Sequence, residues 1–330
     1  MGGISTPLTK LLGISRPLIA GGMHNVSYAP LCAAVSNAGG LGTLTALTQP
    51  DPEALRAEIR AVRKLTSKPF GVNLTLLPML VPPNYEAYAR VVVEEKVGVV
   101  ETAGHYKGLE PFIRLFKDHK VTIIHKCTQV RHALTAERMG VDATSIDGFD
   151  AAGHPGEADV SLWILLQKAK RELKKPFSAC GGCATGEQLV AALTLGASAV
   201  TMGTRLMATK EAFIHDNIKR AIVEADENST TLIMRSMRNT ERVFKNKAAE
   251  ELMAIEKQYP GQFDKVKHLV SGKIYKKVFQ ETGDIDEGIW SAGSVMGLIN
   301  DTPTVQQLFD TIMADAERCI RSDLPKMLSK

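Results

Sequence analysis

Ser178-Ala179-Cys180-Gly181-Gly182-Cys183-Ala184-Thr185-Gly186 and Val200-Thr201-Met202-Gly203-Thr204-Arg205 are two glycine-bearing strand ends, roughly twenty residues apart, with one helical stretch between them. In a (β/α)8 barrel the loops after strands seven and eight present backbone N–H groups to a phosphate, and glycine lets the backbone approach that closely. Either half alone reads more simply as a βα turn that needs positive φ. Together, at this spacing, they read as a phosphate grip. Thr185 and Gln188 add a capping box at the head of the intervening helix, which aims that helix N-terminus at the proposed phosphate.

Working outward, short β-rich runs alternate with amphipathic helical patterns from residue 16 to about 206. Strands are expected at 16–20, 41–46, 69–74, 97–102, 120–126, 142–147, 176–181 and 198–202. Eight is the barrel number. Near-continuous apolar runs such as Val97–Val100 and Val121–Ile124 fit parallel strands covered on their outside by helices. The helix expected between Asp51 and Ser67 places Leu55, Ile59, Val62 and Leu65 on one face behind an Asp-Pro start. Residues 207–288 are rich in Lys, Arg, Glu and helix formers and lack the strand rhythm, so they read as a helical insertion covering the active site. The glycine-bounded turn Gly288-Ile289-Trp290-Ser291-Ala292-Gly293 leads into a final helical segment. The expected architecture is therefore α/β, a TIM (β/α)8 barrel from residues 1–206 and 289–330 with a smaller, mainly helical second domain at 207–288.

Composition agrees with one barrel and an appendage. The chain has 330 residues, 44% of them hydrophobic, which suffices for a full core. A net charge of only +4 gives no nucleic-acid signature, and the basic run Lys168–Lys175 closes a helix, where cations suit the carbonyl end, without interleaved aromatics. Five scattered cysteines, Cys32, Cys127, Cys180, Cys183 and Cys319, make no disulfide framework and suggest a reducing compartment. No apolar run approaches the ~18 residues that span a membrane, and no signal-peptide core opens the chain. A cytoplasmic enzyme without membrane insertion is expected, with a homodimer as one possible assembly.

Catalytic groups of a barrel enzyme lie at the C-terminal ends of its strands. After strand one comes Gly21-Gly22-Met23-His24-Asn25, where paired glycines let backbone touch a flat ligand. Strand three ends in Gly71-Val72-Asn73, and the Asn73 amide both donates and accepts. Strand five ends in His125-Lys126-Cys127-Thr128, and strand six runs through Asp147 into Ala151-Ala152-Gly153-His154-Pro155-Gly156. Polar ends beside a phosphate grip describe a site for a phosphorylated planar cofactor.

These same stretches, with the Gly181-Gly182 turn and Met202-Gly203-Thr204-Arg205, resemble the flavin-binding barrel of the nitronate monooxygenase family, formerly called 2-nitropropane dioxygenases. The resemblance covers essentially the whole chain. Ser145-Ile146-Asp147-Gly148-Phe149 and Gly288–Gly293 are more similar to the family's bacterial NADH:quinone reductase branch than to its nitronate oxidisers. The resemblance implies non-covalent FMN, an active site between the domains, NADH as co-substrate and a quinone as electron acceptor. Oxidation of alkyl nitronates with O2 is the alternative, and a non-enzymatic flavin-binding protein is the alternative of another class. The implied cofactor-binding residues are Gly21, Gly22, Met23, Asn73, Lys126, Ala152, Gly153, Gly181, Gly182, Gly203 and Thr204.

Reduced flavin carries negative charge at N1 and C2=O, so a fixed cation there favours hydride acceptance, and Lys126 is the candidate. His154, in a Gly-His-Pro-Gly turn, is the candidate proton donor or acceptor at N5. Pro78, Met79 and Leu80 belong to a proline-bearing apolar loop that reads either as a lid over the site or as a plain connection. Cys180 and Cys183 have CxxC spacing, but no second ligand pair accompanies them and the same glycines are needed by the phosphate, so no metal is expected. Asn37-Ala38-Gly39-Gly40-Leu41-Gly42 precedes a strand where a dinucleotide fingerprint must follow one, and it reads as a barrel turn.

Overall fold

Eight short runs of apolar and β-branched residues form a parallel sheet in the computed structural model, which describes residues 3–76, 82–104, 108–270 and 272–328. The strands are β1 (Leu18–Ala20), β2 (Gly42–Thr45), β3 (Phe70–Leu76), β4 (Val99–Gly104), β5 (Thr122–Cys127), β6 (Ala143–Asp147), β7 (Phe177–Cys180) and β8 (Ala199–Met202). Each lies within two residues of its expected bounds at either end. Sequential neighbours from β2 to β8 pair in parallel, and β8 pairs with β1. The ring closes at an Ile19↔Leu41 bridge, where Ala20 N–H donates to Leu41 O at 2.9 Å and Leu41 N–H donates to Leu18 O at 3.0 Å. The fold is a TIM barrel.

Helix α1 (Pro7–Leu12) precedes the barrel, and the outer helices are α2 (Ala29–Asn37), α3 (Pro52–Leu65), α4 (Tyr85–Glu94), α5 (Glu110–Asp118), α6 (Val130–Met139), α7 (Leu162–Glu172) and α8 (Gly186–Thr194). A short α9 (Thr204–Met207) follows β8. Beyond it come α10 (Asp216–Glu224), β9 (Thr230–Ile233), β10 (Glu241–Phe244), α11 (Lys247–Gln258), α12 (Gly272–Lys277) and α13 (Val305–Arg318), the last packing on α8 and α2. No helix among the described residues is long and apolar enough to cross a membrane.

Alternation along the strands divides the barrel interior into layers. Ile19, Leu41, Val99, Ile124, Ala143 and Ala199 form one buried cluster with Leu8 and Leu12, so α1 plugs the N-terminal end. Thr6 caps α1 and its hydroxyl donates to Ser198 O at 2.6 Å. Because side chains repeat with period two, two residues further along the same inward face stand Gly21, Thr43, Glu101, Lys126, Ser145 and Thr201. The chemistry-bearing residues thus sit towards the opposite, C-terminal mouth.

One expectation needs correction and another an addition. Leu65 does not share the buried face of α3: Leu55, Ile59 and Val62 are fully buried, but Leu65 is 52% exposed. The face advances from Val62 to position 66, where Thr66 is buried, and Leu65 is rotated outwards by one residue step. Residues 207–288 are mainly helical, and they also carry an element that was not expected: β9 and β10 form an antiparallel hairpin with its own small core that includes Ile233, Val243, Ala249, Leu252 and Val266. Its strands have four residues each, too few for alternation to stand out, and its connection uses Met234 and Arg238 at positive φ where no glycine marks the turn. Helix α10 buries Ile218 and Ile222 in the main core.

The hairpin grips the loop after β6. Arg242 N–H donates to Gly153 O at 2.6 Å, Gly153 N–H donates to Arg242 O at 3.1 Å, and Phe244 N–H donates to Trp290 O at 2.9 Å. Thr240 N–H also donates to the Glu157 carboxylate at 2.8 Å. This edge ties the hairpin to the loop after β6 and to the returning chain at Trp290.

Candidate active site

One cavity at the barrel mouth is lined by Gly21, Gly22 and Met23 after β1, Lys126 of β5, Ala152 after β6, Gly181 and Gly182 after β7, and Gly203 and Thr204 after β8. Sequence reasoning named all of these. Asp150, Ala151, Cys180, Cys183, Thr201, Met202, Gly293 and Val295 complete the lining; of these the sequence drew attention only to Cys180 and Cys183, for their CxxC spacing, and none was assigned to the cofactor.

The turns differ in what their amides do. After β1, Gly21 N–H donates to Met202 O at 3.1 Å, Gly22 N–H to Glu101 Oε2 at 3.0 Å and Met23 N–H to Ser27 Oγ at 3.0 Å. That turn offers surface and no donor. Gly22 is obligatory there, since a Cβ would lie 2.4 Å from Asn73 Cβ. Across the cavity the amides of Gly182, Cys183, Gly203 and Thr204 donate to no acceptor among the described residues. Open amides in glycine turns beside a helix N-terminus are a donor set that suits an anion.

The local sequence shapes these turns. Gly181 and Gly182 have φ of +96° and +74°, and a Cβ on Gly181 would lie 2.9 Å from Ala151 N. Thr185 Oγ1 accepts from Gln188 N–H at 3.2 Å, while Gln188 Oε1 accepts from the Ala184 amide at 2.8 Å and its Nε2 donates to Gly182 O. The capping box therefore fastens the glycine turn as well as α8. A Cβ on Gly203 would meet only Met23, 3.7 Å or further away, so the space a ligand needs lies directly in front of it. Among the described residues Asp150 is the one acidic side chain lining this end, and the buried guanidinium of Arg242, stacked 4.6 Å from the Phe149 ring, lies within its field.

Lys126 is largely buried, with Nζ 3.3 Å from Asp147 Oδ2 and 3.7 Å from Cys180 Sγ. Burial alone would pull its pKa down, but Asp147, helped by Glu101, more than offsets this and holds it well above the ordinary lysine value. The ammonium is permanent at working pH. Ser145 Oγ donates to Asp147 Oδ1 at 3.1 Å and fixes that carboxylate. Burial pushes the Cys180 thiol up, and burial with the nearby Asp150 pushes Cys183 up to about 12, so both are neutral thiols. Next to Lys126, burial and then the charge of His132 push His125 down to about 4, and its Nδ1 lies 2.9 Å from Thr102 Oγ1.

Three expected residues stand outside the lining. Asn73 is buried beneath Gly22, and its amide is satisfied at both ends, Nδ2 donating to Glu101 at 2.7 Å and Oδ1 accepting from Thr75 Oγ1 at 3.0 Å. Gly153 is engaged by Arg242. His154 is exposed at the rim, its Nδ1 3.1 Å from Thr240 O. A carbonyl only accepts, so Nδ1 carries the hydrogen and Nε2 is left open. The lid expectation at Pro78, Met79 and Leu80 falls outside the described residues. Sequence reasoning missed Glu101 and the pairing role of Asp147. The signal existed, because each follows a bottom-layer residue of its strand, Val99 or Ala143, at an even spacing.

The nitronate monooxygenase family model matches residues 5–315. The chain is 30% identical to a nitronate monooxygenase of Pseudomonas aeruginosa, over 91% of this chain and 96% of the relative. It is 27% identical to a 5-hydroxy-7a-methyl-1-oxo-octahydro-1H-indene-4-carboxyl-CoA dehydrogenase of Mycobacterium tuberculosis, over 95% of this chain and 96% of that one. Among solved structures, FabK from Thermotoga maritima superposes with a TM-score of 0.90 at 32% identity, covering 98% of this chain and 100% of the other. A nitroalkane oxidase from Streptomyces ansochromogenes shares the fold, with a TM-score of 0.81 at 23% identity over 97% of this chain and 100% of that one. The chain belongs to the nitronate monooxygenase family and is an oxidoreductase.

Proposed function

We propose that this family member is an FMN-dependent oxidoreductase that takes hydride from NADH and passes two electrons to a quinone. The observation that carries the reading is the pairing of open amides at Gly182, Gly203 and Thr204 with a buried, permanent ammonium at Lys126 in one cavity. These residues fit FMN: the amides and the α8 N-terminus suit its phosphate, the donor-free Gly21–Met23 turn suits a flat ring face, and Lys126 suits a ring that gains negative charge. FMN, when bound, supplies the hydride-accepting and hydride-donating chemistry. Asp147 orients Lys126, and neutral Cys180 and Cys183 line the cavity without adding charge. His154, with Nδ1 committed to Thr240, keeps Nε2 open to hold or move a proton at the rim.

Alkyl nitronate oxidation with O2 is the second reading, favoured by the name of the 30% identical relative. Anaerobic stopped-flow mixing with NADH, NADPH and propyl nitronate, following the flavin band, separates the two. Rapid bleaching by NADH supports the first reading. Bleaching by propyl nitronate but by neither nicotinamide supports the second, and a flavin reduced by none of them leaves a binding protein.

A further inference from the structure

Glu101 is 3% exposed on β4, facing the barrel interior. Its Oε2 accepts from Gly22 N–H at 3.0 Å and from Asn73 Nδ2 at 2.7 Å. Those partners belong to the β1 turn and to β3, so a single carboxylate oxygen links the two elements that flank β2. This is also where the ring is weakest, since β1 and β2 share only the Ile19↔Leu41 bridge. Oε1 accepts from no group among the described residues. Glu101 also acts on Lys126 from the side opposite its direct partner, so two carboxylates face one ammonium.

A buried carboxylate is costly to desolvate, and apolar side chains fill such positions at less cost. The two donors on Oε2 offset part of that penalty, and the rest points to a role in the cavity. We propose that Glu101 is a positioning residue for the bound ligand: through Oε2 it holds the Gly22 turn against Asn73 as the ring-facing wall, and through its charge it tempers the field that Lys126 presents to the ligand. This deepens the flavin reading, yet two of its readouts need no flavin.

The test compares Glu101→Gln and Glu101→Ala with the unaltered protein. In flavin-free samples, amide exchange at Gly22 should accelerate at least about tenfold in Glu101→Ala, where the charged acceptor is gone, and much less in Glu101→Gln, where the carboxamide oxygen remains. Lysine NMR should show Lys126 titrating at lower pH in Glu101→Gln. With FMN added, Glu101→Ala should bind about tenfold more weakly by fluorescence titration, and Glu101→Gln should retain FMN with a raised reduction potential. A merely structural residue would lower melting temperature in both variants without moving the potential. Unchanged Gly22 exchange in Glu101→Ala together with an unchanged Lys126 titration in Glu101→Gln would overturn the proposal. Both flavin-free changes in a protein that binds no FMN would support the wall and charge roles and defeat the flavin reading alone.

Discussion

Lys126 is a cation that the interior alone would discharge and that its neighbours keep. Removing it with Lys126→Met should lower the flavin reduction potential, because the lost attraction acts mainly on the reduced, more negative state. For a two-electron couple ~30 mV corresponds to ~1.4 kcal/mol, so even a charge partly neutralised by Asp147 should register in a dye-coupled titration. An unchanged potential in a folded, flavin-loaded variant would place the cation elsewhere. His125, one residue away and on the opposite face of β5, carries a stability consequence. Its folded pKa of about 4 lies below the ordinary 6.5, so the unfolded chain binds more protons between those values and stability falls as pH drops through that window. Between pH 7 and pH 5 the loss should be about 2 kcal/mol by urea titration, and His125→Gln should abolish that part of the slope. Lys126 was legible in sequence because a charge ends an apolar strand. Glu101 and Asp147 were not chosen because a carboxylate near a strand end reads equally as solvent-facing, and only the register from Val99 and Ala143 turns both inwards.

At the scale of elements, the helix cap and the phosphate turn are one unit. Gln188 satisfies the Ala184 amide and holds Gly182 O, so Gln188→Ala should cost about 1–2 kcal/mol of stability and weaken flavin retention together. Urea midpoints and fluorescence titration of FMN check this pair of effects. Loss of stability with undiminished FMN affinity would mean that the glycine turn keeps its shape without the cap. The eight strands and the Thr185 cap were legible because each obeys a local rule: apolar runs between turn signals, and a hydroxyl three residues before a glutamine. The hairpin β9–β10 was not legible. Its turn residues, Met234 and Arg238, are held at positive φ by their surroundings, and its pairing with Gly153 is a contact across the fold that no local pattern carries. The rim position of His154 depends on that same pairing, which explains why its motif could be found and its placement could not.

For the whole molecule, the cavity draws on the turns after β1, β6, β7 and β8, on Lys126 of β5 and on Gly293 beyond the insertion, so one ligand ties together most of the barrel mouth and the returning chain. A ligand that binds only the folded state stabilises it by ~2.7 kcal/mol at a hundredfold excess over Kd. For a chain of 330 residues this is a rise in melting temperature of roughly 4 °C. The donor set predicts which flavin does this. The open amides match one terminal phosphate, and no dinucleotide fingerprint stands after a strand to receive an adenosine half, so the protein should purify yellow with FMN and not FAD. Riboflavin, lacking the phosphate, should raise the melting temperature far less than FMN at equal concentration. Gly203→Val isolates the cause, since its φ of −118° lies outside the left-handed region and its Cβ would meet nothing nearer than Met23 at 3.7 Å, so the side chain would project into open cavity and fill the place of the phosphate. The variant should keep the melting temperature of the flavin-free protein and lose most of the FMN-induced rise. Heat-released cofactor that runs as FAD, or a Gly203→Val protein stabilised by FMN as fully as the parent, would mean that the phosphate is held outside the turns after β7 and β8.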